Sequence, residues 1–330
     1  MMDFYHRLSD KSLSGGTISA ENIRHILTDD AIQLLPLLQA AYRIRYRYFQ
    51  NRVKIHILNN AQSGNCTEDC RYCAQSQKPG DGAFSYPMKN DAKLIEEAGE
   101  AYTSGAYRHC MVFSGRDLGR NRIDRICSVV DRIKTLYPME ICVSAGFVTR
   151  QDASRLKAAG VDRYNHNLNT SRNHYASICT THDYLKRIET LRTVKSCGLD
   201  ICSGVIIGLG ETIDDIIQMV DALRDVGADS IPVNFFIPVE GHRIENYQTL
   251  TPVYCLKVLC TFRLAIPRAE IRAAAGREYH LRSLQPLCLY PANSIFAEGY
   301  LTTGGDGVNE TRQMIEDAGF EVDTHEGAIR

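Results

Sequence analysis

VKIHILNNAQSGNCTEDCRYCAQS, residues 53–76, holds a strand and a loop whose contents decide how the chain reads. Val53–Leu58 is apolar and β-branched enough to predict a strand. The loop behind it carries three thiols, Cys66, Cys70 and Cys73, in the pattern Cys-x3-Cys-x2-Cys. The strand-then-loop unit recurs further along the chain. Strands are predicted at Tyr107–Phe113, Met139–Ser144, Arg163–His166, Asp200–Ile207, Ser230–Phe235, Ala269–Ala274 and Ala292–Phe296. Apolar residues at helical spacing fill most of the intervals, most clearly in Ala92–Thr103, Asn121–Leu136, Asp183–Ser196, Ile213–Val226 and Val253–Ile266. Strands alternating with helices in this way predict an α/β protein, a parallel (β/α)8 barrel of the TIM type; a doubly wound open sheet is the alternative. Residues 1–50 read as a helical extension capping the barrel, and residues 51–330 as the barrel with a C-terminal tail. The basic run RIRYRYFQNR, 43–52, reads as a solvated helix face.

Composition narrows the function classes. The chain has 330 residues, 38 basic against 39 acidic, for a net charge of −1. Nothing in that balance favours nucleic acid or an anionic membrane as partner. No apolar stretch approaches the ~20 residues that span a bilayer. The N-terminus lacks an apolar signal segment, so the expected location is cytoplasmic. Twelve cysteines in such a chain favour metal ligation or buried thiols over a disulfide framework. Sequons at Asn65, Asn169 and Asn309 are then chance matches.

Three thiolates in one short loop can hold three corners of a four-iron cubane, leaving one iron without a protein ligand. That open iron can chelate the amino and carboxylate groups of S-adenosylmethionine (SAM) and pass an electron to its sulfonium. A zinc knuckle is the structural alternative, but it usually needs a fourth ligand and two-residue spacings. A loop after a barrel strand also lies on the catalytic face.

Three further cysteines fall in separate predicted strands: Cys110 in YRHCMVF, Cys142 in MEICVSAG and Cys202 in DICSGVIIG; Arg272 lies in a fourth, EIRAAAGRE. Inward-facing residues of several strands can converge inside a barrel. Taken singly, each of these cysteines reads as a small buried hydrophobe, and Arg272 as an ion-pairing residue. The remaining six, Cys127, Cys179, Cys197, Cys255, Cys260 and Cys288, read as structural because most lie on helical stretches.

Taken together, these motifs resemble the biotin synthase family of radical SAM enzymes. The likeness runs from about Tyr46 to Val322 and includes SGNCTEDCRYCAQS (63–76), YNHNLNTS (164–171), CSGVIIGLGET (202–212), DSIPVNFF (229–236), IRAAAGRE (271–278) and ANSIFAEGYLTT (292–303). An aromatic residue before the third loop cysteine, here Tyr72, belongs to the radical SAM pattern as a cofactor-binding position. The resemblance implies a [4Fe-4S] cluster on Cys66, Cys70 and Cys73, and an auxiliary iron–sulfur cluster on Cys110, Cys142, Cys202 and Arg272. The auxiliary cluster would commonly be [2Fe-2S], a larger one being the alternative. It further implies that Asn167 and Asn169 face the SAM ribose, and that Asn165 and Asn234 bind the ureido ring of dethiobiotin. The implied reaction inserts a sulfur atom from the auxiliary cluster into dethiobiotin, using two SAM cleaved to methionine and 5′-deoxyadenosine. Implied partners are dethiobiotin, a reduced flavodoxin or ferredoxin as electron donor, the Fe–S assembly machinery and a second copy in a homodimer. Rival readings are a related radical SAM enzyme (hydrogenase maturation or another sulfur insertion) and a non-catalytic metal-binding protein.

Two positions and one segment depart from the family pattern. Asn169 stands where many members have Asp, and Pro291 where Gly often precedes Ala-Asn-Ser. VFSGRDLGR after Met111 is worded differently, so no substrate role is carried onto it. GLGET (208–212) lacks the Lys-Ser/Thr of a phosphate loop and reads as a turn that brings backbone close to SAM.

Overall fold

A computed structural model of the chain describes residues 2–76, 85–117, 119–240, 242–301 and 303–324. Helices α1 (Met2–Leu13), α2 (Ala20–Thr28) and α3 (Leu34–Phe49) precede strand β1 (Arg52–Gln62). Then come α4 (Asp91–Thr103), β2 (Arg108–Phe113), α5 (Arg120–Leu136), β3 (Glu140–Ser144), α6 (Arg150–Ala158), β4 (Arg163–Asn165), α7 (Tyr175–Ile178) and α8 (Tyr184–Ser196). The second half holds β5 (Asp200–Cys202), β6 (Val205–Ile207), α9 (Ile213–Asp225), β7 (Ser230–Phe235), α10 (Pro252–Ala265), β8 (Glu270–Ala273), α11 (Arg277–Leu281), β9 (Ser294–Ala297), α12 (Val308–Asp317) and β10 (Glu321–Asp323).

All pairings between these strands are parallel, and β9 returns to β1 through Lys54↔Ser294 to His56↔Phe296 and beyond, closing the barrel. The expected eighth-part unit Asp200–Ile207 is two short strands. Ser203–Gly204 separates β5 from β6, and both pair with β7. A Cβ at Gly204 would sit 2.1 Å from the Pro232 carbonyl oxygen, so only glycine lets the two staves approach there. β10, which the sequence reading omitted, adds to β1 outside the ring.

Side chains along each strand alternate between helix layer and interior. Val53, Ile55 and Ile57 are buried in the main core, whereas Leu58 lines the interior cavity and His56 contacts Arg108 there. The outer helices begin on polar caps: Asn90 accepts from Lys93 N, Asp183 from Lys186 N, and Thr149 and Thr212 form capping boxes with Asp152 and Asp215. Turns that the barrel requires are set by glycine. Gly276 has φ +80°, and a Cβ there would lie 2.1 Å from the Phe235 carbonyl oxygen. Gly276→Ala is therefore expected to cost about 2–5 kcal/mol, from left-handed strain plus overlap, readable as a lowered thermal midpoint.

The N-terminal helices pack on the outside of the barrel. α1 and α3 lie on α10, and α2 on α9 and α10. The basic run is not a uniformly solvated face. Arg43 pairs with Asp10 at the surface, but Arg45 is wholly buried. Its guanidinium donates to the carbonyls of Arg52 (2.9 Å), Ala292 (3.1 Å) and Gln50, tying α3 to the N-terminal ends of β1 and β9. Fixed carbonyl acceptors replace the water an arginine normally needs; burial still lowers its pKa to about 10.

Candidate functional site

One cavity of about 310 Å³ runs through the barrel, at the lower edge of small-ligand pockets, roughly 300–1,000 Å³. It is lined at one level by Cys66, Cys70, Tyr72 and Cys73, and at another by Cys110, Cys142, Cys202 and Arg272. Asn165, Asn167, Asn169 and Asn234 line it as well. Thus every site residue expected from sequence faces the same space.

The loop triplet is held by backbone and by acidic side chains. Cys66 N donates to Gln75 O (3.0 Å) and Cys73 N to Cys70 O (3.0 Å), which curls the loop. Asp69 anchors it to the segment between α7 and α8, its Oδ1 accepting from Thr180 N (2.8 Å) and Thr181 N (3.1 Å). Glu68 accepts from Arg116 Nη1 (2.7 Å), Thr181 Oγ1 and His182 Nδ1. Burial opposes both carboxylates' charge, but these donors outweigh it and hold both below the ordinary range.

The second set sits on the strands. Leu58, Cys110 and Cys142 are in register across β1, β2 and β3. Cys142 lies against Cys110 and Cys202, and Ala274 and Phe296 wall them in. The contacts push Cys142 well up and Cys110 and Cys202 down, with Arg272 adding to the lowering. Lowering favours the thiolate, the form that binds metals. Arg272 Nη1 lies 3.8 Å from Cys202 Sγ, and its Nε is buried without a partner. Three soft donors beside an unsatisfied buried nitrogen suit an iron–sulfur cluster better than an apolar core.

Beneath this layer lies a floor of buried charge. Glu270 accepts from Arg108 Nη1 (2.9 Å), Arg272 Nη2 (2.7 Å), Arg163 Nη1 (3.4 Å) and Ser230 Oγ (2.9 Å). Glu140 takes the other face of Arg108, and His56 fills the gap beside Arg108 and Glu270. Glu270 and Arg272 are neighbours on β8 at a two-residue spacing, so both point inward.

The asparagines differ in how far they are committed. Asn234 donates to Val205 O (2.9 Å) and accepts from Ala275 N (3.2 Å), bridging β6 to the end of β8. Asn165 donates to Asn167 Oδ1 (3.0 Å) and towards Cys202 Sγ (3.3 Å). Asn167 Oδ1 also accepts from Gly204 N (2.9 Å). Asn169 has φ +68° and pairs by backbone with Gly204 and Ile206, which leaves its buried Nδ2 without a partner in the cavity wall. In GLGET, Glu211 accepts from Gly208 N and Leu209 N, both at 2.8 Å, and fixes the turn.

Sequence reasoning missed several residues at this site. Cys179, taken as structural, is the C-cap of α7 rather than a helix-face residue, and its Sγ lies 3.8 Å from Cys70 Sγ. The contact itself pushes Cys179 down to about 4 and Cys70 up. The Cys-x2-His spacing of CTTH, 179–182, is a metal-ligand spacing and was the available signal. Arg187 lies beside Tyr175, donating to its Oη and to Asn167 O (2.8 Å); Tyr300 and Phe147 complete the wall. No sequence pattern marks these three.

Among known families, the Radical SAM superfamily model matches residues 62–223 and the Biotin and Thiamin Synthesis associated domain matches residues 232–321. Biotin synthase of Magnetococcus marinus is 49% identical over 316 residues, covering 96% of this chain and 98% of its own. That of Leptospira interrogans is 48% identical, covering 92% and 86%. The structure of methylornithine synthase superposes with a TM-score of 0.83 at 18% identity, over 96% of this chain and 97% of that one, which speaks to the barrel fold alone. Helices and strands form the radical SAM barrel, and with these relatives spanning nearly its whole length the chain belongs to the biotin synthase family.

Proposed function

We propose that this protein converts dethiobiotin to biotin by radical sulfur insertion. The observation that carries the reading is the single cavity walled by both cysteine sets. Cys66, Cys70 and Cys73 would hold a [4Fe-4S] cluster, and Cys110, Cys142, Cys202 and Arg272 an auxiliary one, [2Fe-2S] being the expected type. When bound, the first would supply one electron to each of two SAM, cleaved to methionine and 5′-deoxyadenosine, and the second the sulfur atom.

The protein's own part is to bind, orient and exclude water. Asn167 and Asn169 take the SAM ribose, the unpartnered Asn169 Nδ2 being available to it. Tyr72 packs beside the cofactor. Asn165 and Asn234 hold the ureido ring, for which an amide supplies both donor and acceptor. Arg272, bonded through Nη2 to Glu270 (2.7 Å) with Nη1 3.8 Å from Cys202 Sγ, is positioned beside the three auxiliary cysteines. Residues 1–50 cap the barrel and residues 51–330 carry the site. No helix among the described residues is long and apolar enough to cross a membrane. A reduced flavodoxin or ferredoxin as donor, supply by the Fe–S assembly machinery, a homodimer and a cytoplasmic location complete the reading; they rest on the family likeness.

The test is anaerobic reconstitution with iron and sulfide, then incubation with SAM, reductant and dethiobiotin. Biotin with more than four irons per chain is expected; four or fewer after full loading, with no biotin, overturns the two-cluster reading. Asn165→Ala is expected to raise the KM for dethiobiotin about tenfold, the loss of one buried hydrogen bond of roughly 1–2 kcal/mol. Steady-state kinetics at saturating SAM reads it.

A further inference from the structure

Beside the loop triplet, Cys70, Cys179 and His182 are all buried, and one donor atom of each lies within 4.8 Å of the others. Cys70 Sγ and Cys179 Sγ are 3.8 Å apart, and Cys179 Sγ and His182 Nδ1 are 3.4 Å apart. Tetrahedral zinc with Zn–S of about 2.3 Å and Zn–N of about 2.0–2.1 Å has S–S and S–N edges of roughly 3.8 and 3.5 Å. The two edges already have the length that a bound ion requires. In the empty site His182 Nδ1 donates to Glu68 Oε2; an ion binding Nδ1 releases that proton to solvent and leaves the Glu68 carboxylate beside it for a fourth position. Tyr175 Oη, 2.7 Å from His182 Nε2, fixes the ring from behind, as the outer-sphere partners of metal-bound histidines do.

We propose that Cys70, Cys179 and His182, with Glu68, form a second metal site in the cluster-free protein, for one zinc-class divalent cation. The site shares Cys70 with the four-iron cluster, so the two occupants exclude each other. A protein loaded with zinc is thereby kept from assembling its cluster, while Cys70 and Cys179 are protected as metal thiolates. The exclusion rests on the cluster assignment proposed above; the binding of the cation does not.

The experiment titrates the full chain, stripped of iron under anaerobic conditions, with Co2+ as spectroscopic probe and then with Zn2+ as competitor. One equivalent of Co2+ with tetrahedral visible bands and sulfur charge-transfer absorption is expected, with displacement by Zn2+. Cys179→Ala and His182→Gln should each weaken Zn2+ binding at least tenfold, and far-UV circular dichroism checks that each is folded. Cys66→Ser and Cys73→Ser should leave Zn2+ affinity within about twofold. Equal losses in those two variants would put the ion on the loop triplet and overturn the site, as would the lack of a tetrahedral spectrum. Chains reconstituted with iron and sulfide should refuse Co2+ here; uptake with the same spectrum overturns the sharing of Cys70. Failure of the wild-type chain to take up four irons would refute the cluster assignment while leaving the zinc titration to stand alone.

Discussion

Cys142→Ala is expected to abolish biotin formation, by at least a factor of a thousand, while cleavage of SAM to 5′-deoxyadenosine continues. A thousandfold loss corresponds to about 4 kcal/mol of barrel-interior function at ~1.4 kcal/mol per tenfold. Cys142 lies against both Cys110 and Cys202, so its removal breaks the whole set. The loop triplet belongs to a different element, after β1, held by Asp69 and Glu68. Iron should therefore fall to about four per chain in this variant, the content of one cubane. Cys70→Ala should behave in the opposite way and lose SAM cleavage and biotin together. Product analysis by mass spectrometry alongside iron determination separates the two. If Cys142→Ala still makes biotin at the wild-type rate, the strand cysteines are core residues.

Glu270→Gln should be the most destabilising conservative change in the barrel. The carboxylate is wholly enclosed and faces Arg108, Arg163 and Arg272. With a neutral amide in its place, Arg108 would keep Glu140, Arg163 would keep Glu140 and Asp200 at 3.7 Å, and Arg272 would lose its carboxylate partner. Removing one partner from a buried ion-pair set costs roughly 3–5 kcal/mol, which lowers the thermal midpoint by on the order of 10 °C in a chain of this size. The sign of the pH dependence follows from Glu270 itself. Burial opposes its ionisation, but the surrounding arginines and His56 hold its folded-state pKa well below the usual value. Its stabilisation is therefore complete above the carboxyl's unfolded range, near pH 4–5, and is lost as pH falls towards the folded pKa. Denaturation of the wild type should steepen below about pH 4.5, and Glu270→Gln should flatten that dependence. An unchanged midpoint would mean that the floor charges do not depend on this carboxylate.

The barrel was legible because its strands repeat a short apolar signal at regular intervals. Ser230–Phe235 is observed as expected, and the other barrel strands shift by a few residues at their ends. The break inside Asp200–Ile207 was not legible, because Gly204 is required by a cross-strand contact to Pro232 that no local pattern announces. Cys110, Cys142 and Cys202 stood out as one thiol in each of three predicted strands and took their role from family wording; their convergence follows from strand register once the barrel closes. Arg45 was misread because a basic run says nothing about which member faces carbonyls; burial chose Arg45 and left Arg43 outside. Cys179 was passed over because its partner lies 109 residues earlier, on a different loop. Sequence patterns of period 2 or 3.6 report an element's own faces. They carry no information on which two loops meet at the mouth.

The most direct test of the central claim is isotopic. The chain is reconstituted anaerobically with iron and 34S-sulfide, freed of loose sulfide, and given SAM, reductant and dethiobiotin for a single turnover. Biotin carrying 34S, formed with two 5′-deoxyadenosine per biotin and absent from the Cys142→Ala variant, is the expected result. Biotin without the label from fully loaded protein, or labelled biotin from Cys142→Ala, contradicts a sulfur source seated on Cys110, Cys142 and Cys202.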